Sequence, residues 1–398
     1  MTAQPADRWA MVGAGTALIG VCYGFARFSY GLFAPAFQDE FAMGPALTGI
    51  VGSGSYVGYC LAIVVSLVVT ARLGARPIAL AAGVVATLGT ATVAVAPNGV
   101  VLAAGILVAG LSTGLASPPM AAAVARWVRE AQRDRAQSIV NAGTAVGVVL
   151  SGPIVLVFTE NWRLAWALFA LICAAVTLWV AATVPNTESA AATPTTPEDA
   201  TRRRASIPPD AARLLSAALL VGLTSAPVWT FGREIISVLG DAGPTASAAM
   251  WIVIGISGLV GTASADLINW LGLARSWKLT LLALAAATAL LAAAPAVLPL
   301  ALTAAAMFGA SYLMLCGLAL LWSTQLFVGR AAIGVGTAFL FLAVGQALGA
   351  PIAGALIEEV GHVVGFLVFA ALGVLGTAIR PAVRPTPVVA GGCRRSER

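Results

Sequence analysis

The sequence predicts an all-α membrane protein with 12 transmembrane helices in two pseudo-symmetric six-helix halves. First, apolar residues make up 60% of the 398-residue chain and charged residues only 10%, whereas a soluble domain carries about 25% charged residues. Second, apolar stretches of about 20 residues, long enough to cross a bilayer, recur along the chain. Third, two parts of the chain resemble each other at a nearly constant offset. This composition excludes an ordinary soluble enzyme, a disordered chain and a fibrous protein.

Proline, glycine and charged residues divide the apolar sequence into twelve candidate spans, numbered span 1 to span 12 in chain order. Only residues 96–99 separate spans 3 and 4, and only residues 295–299 separate spans 9 and 10, so both hairpins are predicted to be tight. The spans are predicted near residues 10–36, 46–70, 77–96, 99–124, 137–158, 163–183, 212–238, 245–269, 278–295, 299–325, 331–357 and 363–379.

One segment, residues 185–210, breaks this pattern and is rich in Ala, Thr, Pro and Glu. Such a composition cannot bury a core, which predicts a flexible cytoplasmic linker. The predicted organisation is therefore a six-helix half over residues 1–184, the linker, a second six-helix half over residues 211–380, and a disordered cytoplasmic tail over residues 381–398.

The positions of lysine and arginine predict the orientation in the membrane, because cytoplasmic loops are enriched in these residues. Of the 22 lysines and arginines, only Arg163 falls in a loop of the outer side, and only Arg27 and Arg233 fall within spans. Both termini are therefore predicted to be cytoplasmic, in the inner (plasma) membrane of the cell. The basic residues stand singly or in short groups between apolar runs, so we expect a lipid bilayer and no nucleic acid as partner.

An internal repeat relates the two predicted halves. Residues 145–154 match residues 343–352 at six of ten positions with an offset of 198. Ala96-Pro97 matches Ala294-Pro295 at the same offset, and the Gly-Pro pairs at 44–45 and 243–244 are 199 apart. Phe-Ala-Arg at 25–27 resembles Phe-Gly-Arg at 231–233 with an offset of 206. Six spans repeated in the same orientation are the parallel repeat of one class of transporters.

The six-plus-six layout, the long central loop and the repeat resemble the major facilitator superfamily over essentially the whole chain. The opening of span 1, Gly-Phe-Ala-Arg-Phe-Ser-Tyr-Gly-Leu-Phe-Ala-Pro at 24–35, resembles the YbfB/YjiJ-type subgroup. The superfamily's motif between spans 2 and 3 is matched by Arg72, Gly74 and Arg76, with Ala71 in place of the usual aspartate. Its antiporter motif on span 5 is approximated by three glycines and a proline, with the spacing off by one: Gly143, Gly147, Gly152 and Pro153.

Four ionisable residues are placed within spans: Arg27, Arg233, Glu234 and Asp266. A charge at the bilayer centre is costly, so these groups should face the interior or water and find partners. Arg27 is either an anchor for a carboxylate or other anion on the substrate, or a structural partner of Glu234 or of a helix carbonyl. The resemblance implies that spans 1 and 7 flank the outer gate, so we expect Glu234 to bridge to Arg27 when the outside is closed.

For Arg233 and Glu234 the resemblance implies proton-coupling or gate roles, and a permanent ion pair or an interfacial position is the alternative. For Asp266 it implies a gate aspartate that caps a helix N-terminus or pairs with Arg275. His362, the single histidine, is predicted to lie in an outer loop without a role. Further polar and aromatic candidates for substrate binding, whose alternative role is helix packing, are Tyr23, Tyr56, Asn141, Trp229 and Gln346.

The resulting functional prediction is a secondary active transporter of a small organic solute that works by alternating access. Proton coupling is expected, and the span 5 glycines slightly favour export over uptake. The sequence has neither a phosphate-binding loop nor a catalytic cluster, so neither an enzyme nor a cofactor is predicted. The alternative is a non-transporting receptor or scaffold on the same fold. The resemblance implies a monomer.

Overall fold

The computed structural model describes residues 5–158, 161–185, 208, 210–241, 243–327 and 331–381. Over these residues the chain is helical with short connections. Within these described ranges, eleven helices are long and apolar enough to cross a membrane, and a twelfth, His362–Gly376, is apolar but shorter. The predicted all-α membrane fold is confirmed. Most of the predicted linker, the tail from residue 382, Glu160 and Arg330 lie outside the described residues.

The first six spans agree with the predicted positions to within several residues. Span 1 changes its helical type twice, because a π-helical segment, Gly20–Phe28, lies between the α-helices Pro5–Ile19 and Ser29–Phe41. Single π-helical turns often occur at functional sites. Spans 2 to 6 are the α-helices Pro45–Leu73, Ala75–Ala94, Gly99–Trp127, Glu130–Val157 and Trp162–Thr183.

The last six spans likewise match the predicted pattern. Span 8 is interrupted, since its α-helices Pro244–Gly258 and Ser264–Leu271 are joined by the 3₁₀ segment Leu259–Ala263. Spans 7, 9, 10, 11 and 12 are the α-helices Ala211–Val238, Leu273–Ala293, Leu298–Leu326, Ala331–Val360 and His362–Gly376.

The repeated sequence elements lie at equivalent helix ends. Gly44 and Gly243 both precede a proline at the first helical position, of spans 2 and 8, where proline is favoured. Gly74 and Gly272 both connect two spans with positive φ, +85° and +77°, a conformation that side-chain-bearing residues rarely adopt. The Gly74 turn therefore recurs at Gly272.

Successive spans run in opposite directions, so the loops collect at two ends of the bundle. The end with the 1–2, 7–8 and 11–12 connections carries Asp39, Glu40, Asp241, Glu358 and Glu359, and is called the acidic end. The opposite end, with the 2–3, 4–5 and 8–9 connections, is called the Arg-rich end. It carries Arg72, Arg76, Arg126, Arg129, Arg133 and Arg275. Between the first six and the last six spans, contacts join span 1 to span 7, span 2 to span 11 and span 5 to span 8.

Glycines allow several of these helices to touch through their backbones. A Cβ at Gly24 would overlap the backbone of Gly147 on span 5. A Cβ at Gly49 would overlap the carbonyl oxygen of Ala350 on span 11. Small residues permit such close helix approach in membranes. The span 5 glycines thus act as packing surfaces in this structure.

Candidate functional site

Arg27 lies in the last turn of the π-helical segment of span 1 and is 4% exposed. Its Nη2 donates a hydrogen bond to Gln346 Oε1 on span 11 at 2.6 Å. Its Nε is buried without a hydrogen-bond partner. The ion pairs found among the described residues are Arg163–Glu40, Arg213–Asp210 and His362–Glu234, so none neutralises Arg27. Arg27 is therefore a buried cation held by a neutral amide.

Gln346 is fixed by the last six spans. Its Nε2 lies 3.3 Å from Ser225 Oγ of span 7 and 3.2 Å from the Tyr312 hydroxyl of span 10. All three residues are buried. The contact between Arg27 and Gln346 therefore joins the first six spans to the last six near the middle of the bundle.

Four aromatic rings surround the Arg27 guanidinium. Its central carbon is 4.5 Å from the ring centroid of Tyr59, 5.0 Å from Tyr56, 5.2 Å from Phe28 and 5.7 Å from Tyr23. Aromatic faces within about 6 Å attract a cation and partly offset its loss of hydration. These four residues and Arg27 are called the aromatic cage.

Trp229 of span 7 extends this cage toward the last six spans. Its ring stacks on Phe28 with centroids 4.0 Å apart. It also makes an edge contact with Tyr312 at 5.3 Å. A small gap, with a cavity volume of only about 10 Å³, lies beside Trp229 between spans 5, 8 and 10. Its other lining residues are Thr144, Ala145, Val148, Ile254, Gly255, Gly309 and Leu313.

Glu234 lies at the acidic end and does not pair with Arg27, so the expected bridge between them is absent from this structure. Gln38 Nε2 of span 1 donates to Glu234 Oε2 at 2.8 Å. His362 Nε2 of span 12 lies 2.8 Å from Glu234 Oε1. Arg27 was expected to reach this carboxylate, but its guanidinium turns instead into the aromatic cage toward Gln346.

Further polar contacts close the acidic end between the two sets of spans. Arg233 donates to the Leu32 carbonyl oxygen of span 1, and its Nε donates to Ser247 Oγ at 3.1 Å. The backbone N–H of Ala46, at the start of span 2, donates to Glu358 Oε2 of span 11 at 2.9 Å. Arg233 and Glu234 thus both join span 1 to span 7, and their gate or proton-coupling role stays a prediction.

The remaining candidates lie away from the cage. Asp266 is exposed in the first turn of the short helix that ends span 8, and no ion pair with Arg275 occurs among the described residues. Asn141 is exposed and accepts a hydrogen bond from Gln137, one turn away, at 3.1 Å. Asn141 is thus not among the residues that contact Arg27, and its role in substrate binding stays a prediction.

The loop motif between spans 2 and 3 is a local support at the Arg-rich end. Arg76 Nη2 donates to the Ala181 carbonyl oxygen near the end of span 6 at 2.6 Å. Arg72 is exposed. The motif therefore links span 3 to span 6, through Arg76.

Sequence reasoning missed several members of both clusters. Phe28, Tyr312 and Ser225 complete the central cluster, and Gln38 and His362 complete the one at the acidic end. Gln38 lies two residues past the predicted end of span 1 at residue 36, where a polar side chain indicates a loop. The contact of His362, the first residue of span 12, with Glu234 could have been found only by knowing that this helix begins beside span 7.

The fold and these clusters define a class: a multi-pass helical membrane protein with a buried cationic site between two sets of six spans. A family model described as Major Facilitator Superfamily matches residues 16–343. The chain belongs to this superfamily, and the proteins it resembles are transporters of small solutes.

One characterised relative is a hexuronate transporter from Bacillus subtilis (strain 168). It is 28% identical over 157 residues, which cover 39% of this chain and 37% of the relative. The chain thus matches little more than a third of that protein's length.

Solved structures resemble the whole chain. A D-xylose–proton symporter has a TM-score of 0.79 at 14% identity, covering 96% of this chain and 98% of that chain. The nucleoside transporter NupG has a TM-score of 0.74 at 13% identity, covering 93% and 98%. The human organic anion transporter MFSD10 has a TM-score of 0.69 at 18% identity, covering 94% and 100%. At these identities the likeness shows the fold.

Proposed function

We propose that the protein is a secondary active transporter that carries a small organic carboxylate by alternating access, with Arg27 as the anion-binding group. The observation that carries this proposal is the buried Arg27 guanidinium, whose Nε has no partner and whose Nη2 contacts only the neutral Gln346. A buried charge without a counter-charge is costly. Ionisable groups kept within a membrane protein usually mark the path of a substrate or ion.

The geometry of a guanidinium suits a carboxylate because two parallel N–H groups match its two oxygens. A carboxylate that displaces Gln346 Oε1 would accept one hydrogen bond from Arg27 Nη2 and a second from the unpartnered Arg27 Nε. The aromatic cage offers apolar faces to the body of the solute. The relation to a hexuronate transporter supports this solute class, since hexuronates are sugar carboxylates.

The experiment is a thermal-shift titration of the purified protein with sugar acids and other small carboxylates, each paired with its neutral analogue. Charge-assisted hydrogen bonds contribute about 1.5–3 kcal/mol each, so losing two of them predicts an affinity decrease of about 10²- to 10⁴-fold. We expect Arg27→Gln to remove the stabilisation by carboxylates.

The matched control is Arg163→Gln. This change removes a partly exposed arginine at the acidic end and should leave the stabilisation by ligand unchanged. Equal stabilisation by a carboxylate and its neutral analogue, or an unchanged response in Arg27→Gln, would refute the assignment of Arg27. Arg27→Lys tests geometry, since it keeps the charge and loses the two-pronged contact.

We infer proton coupling from Glu234, a buried carboxylate whose partners come from spans 1 and 12. Flux into proteoliposomes should follow an imposed pH gradient, and Glu234→Gln should abolish that dependence while solute exchange at equal concentrations persists. The direction of flux under that gradient tests the prediction of export. A receptor or scaffold without transport would show ligand binding and no flux.

A further inference from the structure

A cavity of about 110 Å³ lies at the Arg-rich end, where the ends of three spans meet. The apolar part of span 1 begins at Arg8, span 4 ends at Trp127 and span 5 begins at Glu130. One water needs about 10–15 Å³ of such space, so the cavity is large enough for a phosphate group. It shares no residue with the aromatic cage, and its lining residues are Arg8, Trp9, Val12, Val128, Arg129 and Gln132.

Two arginines from different elements line this cavity. Arg8 belongs to span 1, and Arg129 belongs to the connection between spans 4 and 5. Arg8 Nε is buried without a hydrogen-bond partner, and neither arginine occurs in the ion pairs found among the described residues. Glu130 follows Arg129, but it is exposed and does not line the cavity. Because like charges repel each other, an anion bound between the two arginines would lower the free energy.

The start of span 5 adds further hydrogen-bond donors. Arg129 directly precedes this 28-residue helix, and its side chain does not cap the first N–H groups. Such N–H groups have no partner within the helix and carry a partial positive charge. Gln132, in the first turn, lines the cavity and brings an amide donor. Guanidinium groups, a helix start and an amide together suit a tetrahedral oxyanion such as phosphate.

The surroundings of the cavity indicate where this phosphate comes from. Trp9 is 41% exposed where the apolar part of span 1 begins, and tryptophan is enriched at the level of lipid headgroups. Arg129 and Gln132 are exposed as well, so the cavity reaches the molecular surface, while the buried Val12 and Val128 form its apolar part. The sequence predicts that this end is cytoplasmic, and the cytoplasmic leaflet carries anionic lipids. A lipid headgroup is therefore the nearest source of phosphate.

We propose that this cavity binds the phosphate group of an anionic phospholipid, with Arg8 and Arg129 as the binding cations. The lipid offsets the charge of both guanidinium groups and ties the start of span 1 to the connection between spans 4 and 5. All of these contacts lie within the first six spans. The inference goes beyond the proposed function, because carboxylate binding at Arg27 does not require this site.

The test is native mass spectrometry of the full-length protein in detergent, titrated with phosphatidylglycerol. The measured quantity is the dissociation constant of the first bound lipid. Loss of one charge-assisted hydrogen bond predicts binding that is about 10- to 150-fold weaker. We expect this decrease in Arg8→Gln and in Arg129→Gln. Arg129 is exposed, so its variant tests the site even if Arg8→Gln does not fold.

Arg126→Gln is the matched control. Arg126 lies in the last turn of span 4, is exposed and does not line the cavity. This change removes the same charge from the same face of the membrane, so it should weaken lipid binding by at most about fivefold. An equal decrease in Arg126→Gln and the cavity variants would show general surface attraction and overturn the proposal. Unchanged binding in either folded cavity variant would overturn it as well.

Two further probes identify the ligand. Phosphatidylcholine carries the same phosphodiester without a net charge and should bind more weakly than phosphatidylglycerol; equal binding would overturn the assignment to an anionic lipid. Inorganic phosphate at the same concentration should not displace phosphatidylglycerol. Displacement that depends on Arg8 would overturn the lipid in favour of a free phosphate. The carboxylate titration of Arg27→Gln is a separate measurement, so either result can stand without the other.

Discussion

Replacing Gly31 with alanine should open the acidic end. Gly31 lies on span 1, and a Cβ built there would overlap the carbonyl oxygen of Trp229 on span 7. The same Cβ would lie 2.9 Å from the Trp229 carbonyl carbon and 3.2 Å from the Thr230 carbonyl oxygen. All three neighbouring atoms are backbone atoms of a helix, so they cannot rotate away as a side chain could.

The strain exists only while spans 1 and 7 touch. Overpacking a close contact costs about 1–3 kcal/mol. Because about 1.4 kcal/mol corresponds to a tenfold change in an equilibrium constant, the closed-to-open ratio should fall by about 5- to 150-fold. The stability of the open form should be unchanged, since the added methyl group then contacts no backbone atom of span 7.

The assay is pulsed electron paramagnetic resonance at a single pH. It measures the distance between spin labels at Val95→Cys and Val297→Cys, which are exposed on the 3–4 and 9–10 hairpins of the acidic end, in protein that lacks its native cysteines. We expect a larger population at long distance in Gly31→Ala. Gly54→Ala is the control, because its Cβ would meet Leu107 of span 4 at an ordinary 3.7 Å and would not face the last six spans. A distance distribution in Gly31→Ala that matches the wild type would refute the reasoning.

Three further substitutions test packing within the first six spans. Gly24→Ala should lower the melting temperature, because its methyl group would overlap the backbone of Gly147 within one set of spans; an unchanged melting temperature would argue against this contact. Asn98→Ala should lower the free energy of unfolding by about 1 kcal/mol, since its side chain caps the N–H groups at the start of span 4. A decrease of less than a few tenths of a kcal/mol in a denaturant titration would contradict this expectation. Arg163→Gln should change that free energy by less than about 1 kcal/mol, because both partners of its pair with Glu40 are more than one-third exposed; a larger loss would show a stronger contact.

Helix positions were predictable because span length and Gly-Pro punctuation are local signals. Pro45 and Pro244 begin spans 2 and 8 within one residue of the prediction. The acidic-end extension of span 1 to Phe41 was not predicted, because its polar residues resemble a loop. No local pattern in the sequence predicts the π-helical segment around Arg27.

The candidate site was only partly predictable because it depends on contacts between distant residues. The free-energy cost of leaving a polar group without a partner in a membrane singled out Arg27 and Gln346. In the structure these two residues, 319 positions apart in sequence, form a hydrogen bond with each other. The same arguments could not decide which acid, if any, Arg27 would meet. Tyr312 and Ser225 resemble ordinary packing residues in sequence and become informative only through Gln346.

The amide of Gln346 also bears on the return step of an empty carrier. Arg27 belongs to one set of spans and Gln346 to the other, so their hydrogen bond forms only when the two sets meet. Under the proposed function, this neutral amide oxygen occupies the carboxylate's position in the unloaded protein and lowers the free-energy cost of enclosing an unpaired guanidinium. A carboxylate that binds Arg27 would have to displace the amide, so the strength of this one hydrogen bond would trade solute affinity against the rate at which the unloaded protein returns.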